Sequence, residues 1–130
     1  MLPARRKKKA KGPAHPKGLG KHSASPRRSF PRHRKWIRGF GCSVPECNST
    51  QIEAAHVTLP LPEGKTHLKG GTSQKWHDAT CISLCRSHHA GQHTLGWKRF
   101  ERDVLKRDAV KLAIEFASKS PVQNVRDAVK

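Results

Sequence analysis

Apolar residues are scattered through the first thirty-odd positions and gather only from Trp36, Ile37 and Phe40 onward, the first cluster able to pack. Residues 51–57 (QIEAAHV) alternate as a strand does, with Ile52, Ala54 and His56 on one face and Glu53, Ala55 and Val57 on the other. Pro60 and Pro62 end that strand, and residues 60–75, with Gly64, Gly70 and Gly71 among polar side chains, read as a loop. Cys81-Ile82-Ser83-Leu84 forms a second short strand running into Cys85. A helix is expected from about Ser87, weakened by Gly91 and ended by Gly96. A further helix from Trp97 to about Lys106 would bury Trp97, Phe100 and Val104. Asp108 then caps a last helix reaching about Ser118, with Ala109, Leu112, Ala113 and Phe116 inward, and Pro121 stops it. Residues 121–130 are expected to be a loose terminus. The pattern gives an α+β chain of short strands and short helices around a thin core.

Charge divides the chain more sharply than hydropathy does. The net charge is +18 over 130 residues; residues 1–41 hold 14 Lys/Arg and no acid, whereas residues 42–130 hold the other 13 together with all 9 acids. Residues 1–34, rich in Lys, Arg, Pro, Gly, Ser and His, are expected to be a disordered polycationic tail. Its cluster Arg5, Arg6, Lys7, Lys8, Lys9 suits a polyanion, which it would bind by releasing counterions without reading sequence. A solubilising arm or a ribosome-associated extension is the plainer account of the same charge. The loop lysines Lys65, Lys69 and Lys75 suit phosphates, although solvated lysines are the default.

A core with no tyrosine and only three tryptophans and four phenylalanines calls for a staple. The four cysteines could form two disulfides, but the basic N-terminus has no apolar stretch of a secretory signal after it, and no run of about 18 apolar residues suggests a membrane span. Cysteines beside histidines then read as metal ligands. Cys42 and Cys47, with Pro45 favouring the turn between them, and Cys85 and His88, two residues apart, supply the two ligand pairs of a tetrahedral structural zinc site. Cys81 is the competing fourth ligand in place of His88. We prefer His88, because Cys81 falls in a strand rather than on the turn, where it reads as a small buried core residue. His89 and His93 follow at helical i, i+4 spacing. They are either a second metal-ligand pair or surface residues, or one of them replaces His88 at zinc. His15, His22, His33 and His67 lie in polar stretches and carry no specific expectation. Among the tryptophans, Trp76 stands out as a base-stacking candidate because it sits in the loop.

The order Cys42-x4-Cys47, then Ala54-Ala55-His56-Val57, then Leu84-Cys85-Arg86-Ser87-His88-His89 resembles the HNH (His-Me finger, ββα-metal) endonucleases, and within them the phage and prophage Ref-like and YbcO-like nuclease group. The resemblance covers about residues 40–118. It implies a zinc-stapled ββα-metal core with C-terminal helices, in which a β-hairpin and a helix grip one divalent metal, Mg²⁺ or Mn²⁺. His56 corresponds to the general base that deprotonates the attacking water, a role a neutral imidazole suits at physiological pH. His89 corresponds to a catalytic metal ligand, with His93 placed as another, and Arg86 could clamp a phosphate. Two departures stand out. Many such enzymes carry an acidic metal ligand just before the base, where this chain has Ala55, and strand alternation points Glu53 away from His56. The middle Asn of the motif is also missing; Asp78 is the nearest polar candidate, as a metal ligand or a loop-orienting group, with His77 and Thr80 as alternatives. A histidine-rich metal site of this kind would admit Mn, Ni or Zn as readily as Mg.

These readings together lead us to expect a nuclease domain over residues 35–120 behind the basic tail. Its activity would be that of a DNA endonuclease or nickase in phage or prophage recombination or DNA processing. The expected setting is the cytoplasm of a bacterial host, with single- or double-stranded DNA and a recombinase filament as partners, no membrane, and a monomeric state. The rival expectation is a non-catalytic zinc-containing nucleic-acid-binding protein.

Overall fold

The structure is a computed structural model that describes residues 2–6 and 27–130. Two antiparallel strands, β1 (Ile52–His56) and β2 (Cys81–Cys85), form its sheet, with Ile52 opposite Cys85 and His56 opposite Cys81. Five helices surround them among the described residues: α1 (Pro31–Ile37), α2 (Arg86–Leu95), α3 (Trp97–Phe100), α4 (Ala109–Ser118) and α5 (Gln123–Ala128). The chain is thus α+β. No described helix is long and apolar enough to cross a membrane.

Local chemistry sets the element ends. Cys85 caps α2, its Sγ accepting the His88 amide at 3.4 Å, and Gly96 leaves the helix at φ 81°, a conformation that side chains avoid. Asp108 caps α4 by accepting the Lys111 amide at 3.0 Å. Between α3 and α4 lies a π-helical turn, Glu101–Leu105. Its extra residue rotates the helix face, so that Leu105 is fully buried while the expected Val104 is only partly so.

Ile37, Phe40, Ile82, Leu84, Phe100, Leu112 and Phe116 are buried together in the main core, in which Phe40 meets Phe116 edge-on at 5.1 Å. A second, smaller cluster joins Phe30, Leu68, Ala79, Ala117, Val125 and Val129. It corrects two expectations. The C-terminal residues are not loose, because Val125 and Val129 on and beside α5 cover the short turn Asp78–Thr80. Nor does order begin at residue 35. Pro31 starts α1, where its fixed φ and missing N–H suit a helix's first turn, and Phe30 and His33 are buried. Residues 2–6 also pair with the segment after α1, through Gly41 N to Ala4 O at 2.7 Å and Arg6 N to Gly39 O at 2.5 Å. The rest of the expected tail, residues 7–26, lies outside the described residues.

Candidate functional site

The hairpin carries a cluster of ligand-type side chains at each end. At the β2 C-terminus, Cys42, Cys47, Cys85 and His88 bring their donor atoms within 4.8 Å of one another. The Cys47 and Cys85 sulfurs are 3.8 Å apart, and His88 Nδ1 is 3.2 Å from Cys85 Sγ and 3.5 Å from Cys42 Sγ. Tetrahedral zinc with ordinary bond lengths places such donors roughly 3.5–3.8 Å apart, so the set fits that ion. Backbone geometry delivers the ligands. Pro45 and Glu46 turn the chain between Cys42 and Cys47, with Glu46 at φ 65°, and the Cys85 amide donates to Cys42 Sγ at 3.3 Å. Burial pushes the Cys42 thiol up to about 12, so a metal held here would displace its proton. Cys81 lies at the opposite end of β2 from this cluster.

At that opposite end, His56 Nε2 lies 2.8 Å from Asp78 Oδ1. Asp78 is buried and fully engaged. The Phe30 amide donates to its Oδ2 at 2.6 Å, and the Arg34 guanidinium, held also by Ser29 Oγ at 3.0 Å, pairs with the same oxygen. Burial pushes the Asp78 carboxyl up, but the hydrogen bonds from His56 and Phe30 and the charge of Arg34 outweigh it and leave the group below its usual value. His56, Asp78 and Cys81 also lie within ligand distance of one another. They make a poor metal site, because burial and the Asp78 charge hold the Cys81 thiol well above its usual value and both Asp78 oxygens already have partners. What they form is a carboxylate-oriented histidine. It opens into a cleft of about 870 Å³, within the range of small-ligand sites, lined also by Arg27, Arg28, Arg34, Lys75 and Trp76.

The histidines of α2 make a third arrangement. The His89 and His93 rings lie 4.9 Å apart, and His89 Nδ1 is 2.9 Å from Glu53 Oε1. The hydrogen bond to His89 lowers the Glu53 carboxyl below its usual value, with Arg86 Nε 3.6 Å from the other oxygen. The structure therefore brings Asp78 to His56 and not to His89 and His93, with which it was expected to share a metal. Glu53 points away from His56, as alternation predicts, and meets His89 instead. A ligand just before the base would sit on the face of Ala55, opposite His56, and Glu53 shares that face. The sequence held that signal, since alternation pairs residues 53 and 55 as surely as it separates 53 from 56.

Sequence reasoning missed the groups that hold Asp78, namely Arg34, Ser29 and the Phe30 amide, because they lie in the segment read as tail. It also missed two structural histidines. His33 is buried with Nδ1 2.8 Å from Ser120 Oγ, and burial lowers its pKa to about 4. His67 Nε2 lies 2.8 Å from the Ala128 carbonyl oxygen. Of the proposed nucleic-acid contacts, Arg6 donates to the Thr50 and Arg38 carbonyls and Arg5 lies over the Phe40 ring at 5.2 Å, so both serve the fold. Arg86 is largely exposed. Lys7, Lys8 and Lys9, with His15 and His22, lie outside the described residues. No family model matches this chain, and neither a curated protein nor a solved structure is significantly similar to it.

Proposed function

We propose that this protein is a metal-dependent DNA endonuclease or nickase of HNH type, hydrolysing phosphodiester bonds in phage or prophage DNA processing. The observation that carries the proposal is a half-exposed His56, oriented by a buried Asp78, opening into a cleft with Arg27 and Lys75 at its edge. A neutral imidazole whose other side is fixed by a carboxylate is suited to taking a proton from water. Asp78 acts as the positioning residue, kept ionised by the hydrogen bonds from His56 and the Phe30 amide and by the charge of Arg34. The basic lining attracts a phosphodiester and opposes its negative charge as that charge builds up.

Glu53 and His89 would hold the catalytic metal, Mg²⁺ or Mn²⁺, with His93, its ring 4.9 Å from that of His89, brought in by a rotamer change. Their nitrogen and oxygen donors suit a divalent cation, and two of them already lie 2.9 Å apart. Bound there, the ion would supply a Lewis acid for a phosphate oxygen. The Cys42, Cys47, Cys85 and His88 set holds structural zinc in this reading, and the lysines of residues 7–11 add sequence-independent affinity for DNA.

The test is cleavage of supercoiled plasmid and of single-stranded DNA with magnesium or manganese. His56→Ala should lower the rate by about 10²–10⁴-fold while leaving zinc content and DNA affinity unchanged. Cleavage retained by His56→Ala would refute the assigned base. A wild type that binds DNA but never cuts it would establish the non-catalytic binding protein instead.

A further inference from the structure

The three tryptophans are placed differently. Trp36 meets Phe40 at 4.8 Å and Phe116 at 6.0 Å, and Trp97 meets Phe100 at 5.8 Å, all edge-on within the core. Trp76 belongs to neither hydrophobic cluster and has no aromatic partner among the described residues, yet it is half-buried after five consecutive exposed positions. It lines the same cleft as His56 and Asp78.

The loop that carries Trp76 is built rather than slack. Gly71 and Gln74 exchange backbone hydrogen bonds at 2.9 and 3.3 Å, and the His77 amide donates to Leu68 O at 3.0 Å. Arg28 clips both arms together by donating to the carbonyls of His67 at 2.8 Å, Lys75 at 3.0 Å and Leu68 at 3.3 Å. Gly70 runs so close beneath Trp76 that a Cβ there would stand 2.5 Å from Trp76 Cδ1 and 2.6 Å from its backbone nitrogen. Only glycine fits, and its absent side chain sets where the indole lies. Lys75, next to Trp76 in the chain, lines the cleft as a cation suited to phosphates; Arg27 lines it too, but donates to the Ser29 carbonyl at 2.8 Å and lies over the Phe30 ring at 5.1 Å.

We infer that Trp76 is a stacking platform for an unpaired nucleobase, making single-stranded DNA the substrate form that this cleft admits. The inference rests on the nuclease reading for its location, and it names the strand state that reading leaves open. A base inside a duplex already has both faces stacked, so only a single-stranded or extruded nucleotide can lie on the indole while its phosphate meets Lys75.

The experiment measures binding of the full chain to a short single-stranded oligonucleotide and to its duplex, without added magnesium or manganese. Salt of about 0.3 M suppresses the contribution of the basic N-terminal residues. Moving one abasic site along the strand, with the protein unaltered, should weaken binding at one position by about tenfold and little elsewhere. Trp76→Leu should lose about tenfold for the single strand, remove the abasic effect and leave duplex binding unchanged. Trp76→Phe should stay within about threefold of wild type, which separates stacking from loop collapse. A flat abasic scan, or equal losses for single strand and duplex in Trp76→Leu, would overturn the inference. Because no cleavage is read, these results stand apart from the test of His56. A wild type that never cuts but shows the abasic signature would lose the nuclease reading and keep the platform, and a cutting enzyme with a flat scan would do the reverse.

Discussion

The two ends of one short hairpin gather similar side chains to opposite effect. At the β2 C-terminus, three thiols and an imidazole converge with backbone amides, the Ser49 side chain and one another as partners, close to the spacing of tetrahedral zinc ligands. At the other end, an imidazole, a carboxylate and a thiol also converge, but an arginine and a backbone amide occupy the carboxylate, and the imidazole is left half-exposed to a cleft. Proximity of ligand-type groups therefore does not define a metal site. What the groups already hold decides whether they are free to take up an ion.

Removing the metal is the strongest way to sharpen this comparison. Structural zinc contributes roughly 10–16 kcal/mol in small domains at neutral pH, more than a thin core of this size supplies by itself. Stripping the ion with a chelator, or replacing Cys85 by Ser, should abolish cooperative thermal unfolding followed by circular dichroism. A chelated protein melting at the wild-type temperature would show that the cluster is not the staple.

Asp78→Asn probes the other end and should have a smaller effect on the fold with a larger one on function. It leaves Arg34 without its counter-charge; since that arginine is partly exposed, the loss should be about 2 kcal/mol, a few degrees in Tm. Cleavage should fall by about a hundredfold or more, because the His56 ring loses the carboxylate that orients it, while zinc content stays unchanged. Equal cleavage by Asp78→Asn and wild type would reduce the pair to a structural ion pair.

The two ends were not equally legible in the sequence. The cluster of three cysteines and a histidine announces itself by spacing, since two tight turns each present two donors, and the residues that matter are the ones the motif contains. The hairpin, α2 and the Asp108 cap were legible for the same reason, as local patterns of alternation and capping. The cleft depends on residues distant in sequence. Arg34 and Phe30 reach Asp78 across more than forty positions from a segment whose composition reads as tail, and α5 supports the Asp78 turn from a stretch too short to show a helical period. Composition reports what a segment could do alone, whereas α1 is stabilised by what it covers: Ile37 and His33 are fully buried.

The smallest predicted effect separates the ends by pH. His33 on α1 is held neutral by burial, with its pKa lowered to about 4 from an ordinary 6.5, although Asp78 pulls it the other way. The unfolded chain takes up the proton first as pH falls, so stability contributed by this group is present above about 6.5 and is lost progressively down to about 4. Between pH 7 and 5 that loss is on the order of 2 kcal/mol, a fall of several degrees in Tm. His33→Gln keeps an acceptor for Ser120 and cannot be charged, so its melting temperature should fall less over the same range. Acid also protonates the Cys42, Cys47, Cys85 and His88 cluster and His77, whose pKa burial likewise lowers to about 4, but those contributions are common to both proteins and cancel in the difference between their pH profiles. Identical profiles would mean that His33 does not carry the acid sensitivity; a flatter one for His33→Gln would show that burying a neutral imidazole behind Asp78 makes the cleft-bearing half acid-sensitive.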